Sequence, residues 1–418
     1  MAVTAASAIE TVFRIESARI IAGVARIVRD VGIAEELAQD ALVAAMEQWP
    51  ESGVPDNPGA WLMATAKHRA IDLVRRRETY ARKLAEMGRD LDGVSAEPGP
   101  GAVDPDAIDD DLLRLIFTAC HPVLSTDARI ALTLRLLGGL TTEEIARAFL
   151  TTEPAVAQRI VRAKRALGRA GVPFEVPYGP ERAARLRSVL DVIYLIFNEG
   201  YAATAGDDWL RPGLCEDALR LARVLAGLMP DEPEVHGLAA LLELQASRTA
   251  ARTGPDGAAV LLADQNRARW DRLLIRRGLA ALLRAGDTAA KAGQPLGPYA
   301  LQAAIAACHA RTARFEDTDW AAITALYDRL AVLTPSPVVE LNRAVAVSMA
   351  EGPAAGLALV DALAADPALK GYHLLPSVRG DLLERMGRTD EARAEFVRAA
   401  ELTRNERERA LLLGRAGR

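Results

Sequence analysis

Apolar residues recur along this chain at three- and four-residue intervals almost without a break, the period of helices that bury one face. Ile9, Val12, Phe13, Ile20, Val24, Ile27 and Val28 form a first stripe, which Gly32 is expected to end. A second helix is predicted over Ala34–Gln48. It turns Leu37, Ala41, Ala45 and Trp49 inward and sets Glu36, Asp40, Val43 and Glu47 on another face, at i, i+4, i+7 and i+11. Three prolines, two glycines and an Asp-Asn pair mark Pro50–Gly59 as a loop. A third helix starts near Ala60, with Trp61, Leu62, Ala66, Ile71 and Val74 interleaved with Lys67, His68, Arg69, Arg75, Arg76 and Arg77.

The next stretch, Gly88–Asp111, is rich in Gly, Pro and acid, as expected of a flexible charged linker. Helix signals return at Leu112. Ser125 can cap a helix over Thr126–Leu137, Gly138-Gly139 stops it, and Thr141 with Glu144 has the spacing of a capping box for a short helix. After the turn Leu150-Thr151-Thr152, Val156, Ile160, Ala163 and Leu167 repeat at core spacing. They leave Ala155, Gln158, Arg159, Arg162 and Arg165 facing outward on a helix suited to a major groove. Beyond Pro173 the pattern becomes a series of helical pairs. In His373–Glu406, Gly380, Gly387, Ala392 and Phe396 stand at the offsets of a tetratricopeptide unit, and Asn342–Leu363, turning at Gly352, reads as the unit before it.

Composition agrees with an all-α protein: half the residues are apolar and only 5% aromatic. With 51 Lys and Arg against 56 Asp and Glu, the net charge of -5 excludes a polycation that coats nucleic acid along its whole surface, so any DNA contact must be local. Cys120, Cys215 and Cys308 lie far apart without CxxC spacing, which suggests neither a disulfide framework nor a metal site. No secretion signal or membrane span is read, and a cytoplasmic protein without cofactor or metal is expected.

The run Ala34–Leu42 with Trp49, then Asn57-Pro-Gly-Ala-Trp-Leu62 and Arg69-Ala-Ile-Asp-Leu-Val-Arg-Arg-Arg77, resembles the second domain of bacterial sigma factors of the extracytoplasmic-function group. Thr141–Ala146 with Val156–Leu167 resembles the fourth domain of the same factors, and the C-terminal half, including Tyr194–Tyr201, is similar to a subgroup with tetratricopeptide-type extensions. The resemblance implies a layout of 7–84 (region 2), 85–110 (linker), 111–172 (region 4 helix-turn-helix) and 173–418 (α-solenoid). It also implies a non-enzymatic role: binding core RNA polymerase at its clamp helices and flap, recognising promoter DNA and starting transcription.

Carried onto this chain, the resemblance assigns Glu36, Gln39, Asp40 and Val43 to polymerase docking. It assigns Asn57 and Trp61 to capture of an unstacked minus-ten base, with Lys67, Arg69, Arg75 and Arg76 on nearby phosphates. For the minus-thirty-five element it implies Gln158, Arg159 and Arg162 on base edges, with Thr152, Lys164 and Arg165 on phosphates. Trp61 has a second reading as a core anchor, and the acidic stripe a second reading as a solvated face. Leu150 stands where such turns often have glycine.

A plain helix-turn-helix regulator with a tetratricopeptide interaction domain is the competing class, and it would need no polymerase. In the extension, the polar clusters at Asp264–Asp271 and Asp317–Trp320 read as caps and interhelical ion pairs rather than as an active site. The solenoid is expected to control access, through the DNA-binding modules, polymerase or a regulatory protein.

Overall fold

The computed structural model describes residues 5–88, 105–202, 205–206, 210–254 and 259–417, and the chain forms two compact units, Met1–Val192 and Ile193–Arg418. The dividing line falls inside a helix and not at residue 172, where the sequence pattern set it.

The first unit contains α1 (Ala5–Val28), α2 (Val31–Ser52), α3 (Pro58–Gly88), α4 (Pro105–Ala119), α5 (Thr126–Leu136), α6 (Thr142–Ala148), α7 (Glu153–Arg169) and most of α8 (Gly179–Tyr201). Helix α1 packs against α2, α3 and α4. It ends at Arg29, which takes the left-handed φ of 56°, and not at Gly32. The Asp30 carboxylate accepts hydrogen bonds from Gly32 N (2.7 Å) and Ile33 N (3.0 Å), so the N-cap sits before Gly32 and places that glycine in the first turn of α2. Ala34, Ala38, Ala41 and Ala45 are buried and form a small-residue seam closed by Trp49, while Leu37 is only half-buried. Helix α2 runs through Pro50 to Ser52, so the expected ten-residue loop shrinks to 53–57.

The linker is likewise shorter than 85–110, because α3 continues to Gly88 and α4 begins at Pro105; residues 89–104, where most of that expectation falls, lie outside the described residues. Leu112, Leu113, Leu115, Ile116 and Phe117 are buried on α4. Asp111 is buried beside them. Arg114 donates to it at 2.7 Å and Arg26 of α1 lies 3.3 Å away.

The helix-turn-helix forms as its capping residues dictate. Ser125 caps α5, and at α6 both halves of the box are present: Thr141 Oγ1 accepts from Glu144 N at 3.1 Å, and Thr141 N donates to Glu144 Oε2 at 2.8 Å. Val156, Ile160, Ala163 and Leu167 are the buried residues of α7, as their spacing requires. Leu150 in the turn has φ 48°, a left-handed backbone that costs a non-glycine residue about 1–2 kcal/mol.

The second unit comprises the end of α8, β1 (Ala205–Gly206), α9 (Pro212–Leu228), α10 (Pro233–Ala246), α11 (Arg272–Lys291), α12 (Pro298–Ala310), α13 (Trp320–Leu333), α14 (Pro337–Ala350), α15 (Pro353–Leu363), α16 (Leu374–Arg385), α17 (Thr389–Leu402), β2 (Arg404–Asn405) and α18 (Glu406–Ala416). From α12 onward each helix packs on the next, as in a solenoid. The pairs α14/α15 and α16/α17 are the two predicted repeat units. A Cβ on Gly380 would stand 2.7 Å from the Phe396 ring, so α16 and α17 cross more closely than any side chain there permits. Two features were not expected. β1 pairs in parallel with β2, tying the start of the array to its end. Tyr194 of α8 reaches α12, its ring 5.5 Å from that of Tyr299 and its hydroxyl 3.4 Å from Gln302, so the motif Tyr194–Tyr201 supplies packing to the repeats.

The polar clusters act as caps and ties. Asp271 caps α11 and Asp319 caps α13, while buried Arg267 donates to the carbonyls of His309 and Thr312 and to the Thr318 hydroxyl. Among the described residues no helix is long and apolar enough to cross a membrane.

Candidate nucleic-acid and partner interface

Helix α2 presents Glu36, Asp40, Val43 and Glu47 to solvent, opposite its alanine seam. Val43 is 51% exposed and Met46, which pattern reading passed over, is 55% exposed, so the acidic flank carries an apolar strip. Such a mixed surface suits a partner helix with basic and aliphatic positions. Gln39 differs from its expected companions. It is half-buried, and its amide donates to Glu35 Oε1 at 3.1 Å.

Helix α3 begins where Asn57 Oδ1 accepts from Ala60 N at 3.0 Å, so Asn57 is first of all a helix cap. Trp61 is half-buried and meets Trp49 edge to face, with ring centroids 5.4 Å apart. Its core-anchor reading therefore has direct contact behind it. Asn57 and Lys67 line one groove of about 620 Å³ between α1 and α3, together with Glu16, Arg19 and Met63; Trp61 is not part of that lining. The cations of α3 also differ among themselves. Burial, with Arg26 nearby, holds the Lys67 ammonium below the ordinary lysine value, while Asp111 opposes that shift. Arg69 lies 3.6 Å from Asp40, joining the basic helix to the acidic flank. Arg75 and Arg76 are exposed.

On α7, Gln158, Arg162 and Arg165 face solvent, and Arg162 donates to Gln158 Oε1 at 3.3 Å, which aligns two groups able to read base edges. Thr152 is exposed at the N-cap, without a side-chain cap bond. Arg159 is partly turned aside toward Asp127, 3.6 Å away.

Lys164 departs from expectation altogether. Its ammonium forms an ion pair with Oε2 of Glu35 on α2, off the axis of a hydrogen bond, and it therefore does not stand free beside Arg165. Glu35 is buried, and Arg135 Nε of α5 donates to its other oxygen at 2.5 Å. Sequence reading missed Glu35 by treating it as one more acid in a charged run. The available signal was its place, one residue after Ala34 and three before Ala38 on the inward face, where a carboxylate needs cations from elsewhere.

The thiol of Cys120, buried against Thr133, is pushed up to about 11 by desolvation, so it stays protonated and packs as a small apolar group. His121 Nδ1 accepts from Val123 N at 3.1 Å and is a turn cap.

Three stretches of the chain match known families. Residues 13–79 match sigma-70 region 2, residues 114–167 match sigma-70 region 4, and residues 185–286 match a family of unknown function, DUF6596. The uncharacterized protein R00370 of Rhizobium meliloti (strain 1021) is 47% identical over 389 residues, spanning 93% of this chain and 90% of its own length. The ECF RNA polymerase sigma factor SigK of Mycobacterium ulcerans (strain Agy99) is 28% identical over 148 residues, which cover 34% of this chain and 75% of that protein. Two matched modules in order, one ending in an exposed cationic helix and the other in a recognition helix, decide the assignment: this chain, in one family with the Rhizobium protein, belongs to the sigma-70 factors of the extracytoplasmic-function type.

Proposed function

We propose that this sigma factor divides its work among three surfaces. The flank of α2 formed by Glu36, Asp40 and Val43, steadied by Gln39, docks on the clamp helices of core RNA polymerase, and the region 4 module meets the flap. Asn57 and Trp61 receive the minus-ten base, with Arg69, Arg75 and Arg76 holding phosphates and Lys67 contributing less. Gln158 and Arg162, with Arg159 once it leaves Asp127, read the minus-thirty-five element, while Thr152 and Arg165 hold its backbone. The chain supplies recognition and performs no catalytic step, it acts in the cytoplasm, and its C-terminal helical unit engages a regulatory protein. The observation that carries this reading is the pairing of Gln158 with Arg162 on the solvent face of the last helix of a helix-turn-helix whose two preceding helices are capped by Ser125 and Thr141.

Transcription from a two-element promoter fragment by purified core polymerase plus this chain tests the reading. Asp40→Arg reverses the charge of the docking flank and should abolish polymerase association. Arg162→Ala should leave association intact and weaken the matched promoter by about 1–3 kcal/mol, that is, roughly 5- to 150-fold, relative to a mismatched one. If Asp40→Arg binds and directs polymerase as well as the unaltered chain, the docking surface lies elsewhere.

A further inference from the structure

Arginines on the later helices of the second unit are held by carboxylates: Arg343 by Asp328 and Glu340, Arg379 by Asp361 and Glu395, and Arg415 by Asp381 and Glu384. The stretch from α11 to α13 breaks that habit. Arg272, Arg276, Arg277 and Arg284 of α11, Arg311 just after α12 and Arg329 of α13 are exposed, and none of the six has an ion pair among the described residues. The outer face of α11, an arc of about 140° at 100° per residue, sets its four arginines and Lys291 against one carboxylate, Asp287. Leu273 and Leu283 lie on the same face, and Leu283 is 66% exposed.

Beside this face, between α11, α12 and α13, runs an apolar groove of about 450 Å³. Leu282, Leu296, Ala304 and Leu326 floor it, and Arg311 and Arg329 stand at its edge. Leu296 and Leu326 pack on the buried cluster of Leu301, Ile305 and Ile323, so the floor is fixed by the core beneath it. Unpaired cations call for an anionic occupant, and the exposed leucines narrow the choice. A DNA duplex offers phosphates but no apolar surface for Leu283 or the groove floor. A helix with acids on its flanks and leucine-sized side chains along one stripe covers both. Helix α13, one wall of the groove, has 14 residues and runs about 21 Å, so an occupant of about four turns fills its length.

We infer that the groove between α11 and α13 is the docking surface for an acidic amphipathic helix of a regulatory protein. The apolar stripe of that helix rests on Leu282, Leu296 and Leu326. Its carboxylates meet Arg311 and Arg329 at one edge and, at the other, Arg272 and Arg276, the arginines of α11 nearest to Leu282 around the helix. The inference rests on the proposed engagement of a regulatory protein by this unit and names its surface and its chemistry. Because the cations are exposed, charge steers the encounter and salt weakens it.

The probe is a synthetic, fluorescently labelled helical peptide of about 18 residues, with leucine along one stripe and glutamate elsewhere. Anisotropy should show it binding to the full chain. Arg311→Glu with Arg329→Glu should weaken binding on the order of tenfold without altering the melting temperature, since both side chains are exposed. A peptide of the same composition with its leucines spread around the helix should lose affinity to a similar degree. Cys308 lines the groove and is half-buried, whereas Cys120 and Cys215 are buried, so bound peptide should slow maleimide labelling of Cys308, read by peptide mass mapping. If the peptide does not bind, or binds with the double variant and Cys308 labelling both unaffected, the groove is not the docking surface. A duplex without promoter elements that binds the chain, loses affinity in the double variant and is not displaced by the peptide would assign the surface to nucleic acid and overturn the inference. Transcription by core polymerase with the unaltered chain, run with and without the peptide, reports separately on the proposed function: a peptide that docks in the groove and leaves transcription unchanged upholds the docking surface and refutes the regulatory role of this unit.

Discussion

Arg75 and Arg76, two of the exposed arginines of α3, offer the sharpest quantitative test of how region 2 holds DNA. Arg75 and Arg76 are exposed, whereas Lys67 is partly buried beside Arg26 and Arg69 is drawn toward Asp40. Each cation that neutralises a duplex phosphate releases counterions and contributes about 0.9 to the slope of log K against log salt, or about 0.7 on an unpaired strand. Replacing both Arg75 and Arg76 by alanine should therefore reduce the magnitude of the slope by about 1.8 on duplex DNA, or about 1.4 if the strands have parted. Between 50 and 200 mM salt, the slope of 1.8 alone corresponds to roughly a 12-fold change in the ratio of affinities. The assay is equilibrium binding of the polymerase complex to a labelled promoter fragment over a salt series, below the temperature at which the duplex opens. Lys67→Ala should alter the slope by clearly less than one contact. An unchanged slope for the double variant, or an equal fall for Lys67→Ala, would refute the ranking of these cations by exposure.

Two further outcomes are expected. Thr141→Ala removes one half of the capping box on the short helix α6, which should cost about 1 kcal/mol and lower the melting temperature of the first unit by about 2–4 °C in calorimetry; an unaltered melt would mean that the box contributes nothing. His309 is buried, and desolvation together with Arg248 and Arg267 lowers its pKa from 6.5 to about 4. The unfolded chain therefore takes up a proton near pH 6.5 that the folded chain refuses until about pH 4. Stability is full above 6.5 and falls as pH drops between these values, by about 3 kcal/mol at 1.36 kcal/mol per pH unit. Denaturant titration of the second unit at pH 7 and pH 4.5 should show most of that loss, and His309→Gln should remove it.

What the chain discloses without coordinates depends on how local the controlling physics is. The caps at Ser125 and Thr141 are set within one turn, the stripe of α7 within one helix, and the crossing at Gly380 by Phe396 on the very next helix, and all are legible as pattern. Asp30 was overlooked because glycine draws the eye as a helix breaker, although an Asp side chain two residues earlier fixes the new start by hydrogen bonding. Pro50 misled in the same way, since Gly53 rather than the proline ends α2. The assignments that moved furthest, Lys164 and Gln39, both involve Glu35, whose partners lie 100 and 129 positions away. No periodicity within α7 tells a phosphate-binding lysine from one that neutralises a buried acid on another helix. The β1–β2 pairing across the second unit is equally invisible, joining residues about two hundred positions apart.

The alanine seam of α2 also limits how its gene segment can change in length. Its start is pinned by Asp30, and each inserted or deleted residue turns everything downstream by about 100°. Loss of one residue before Glu35 would carry Glu36 into the place of Glu35 and drive Glu35 into the fully buried place of Ala34, setting a carboxylate inside the packed seam. Point substitutions on the outer flank leave that geometry alone. Variation along this helix is therefore expected to accumulate by exchange of letters and to exclude gaps, so α2 behaves as a ruler whose graduations matter as much as its markings.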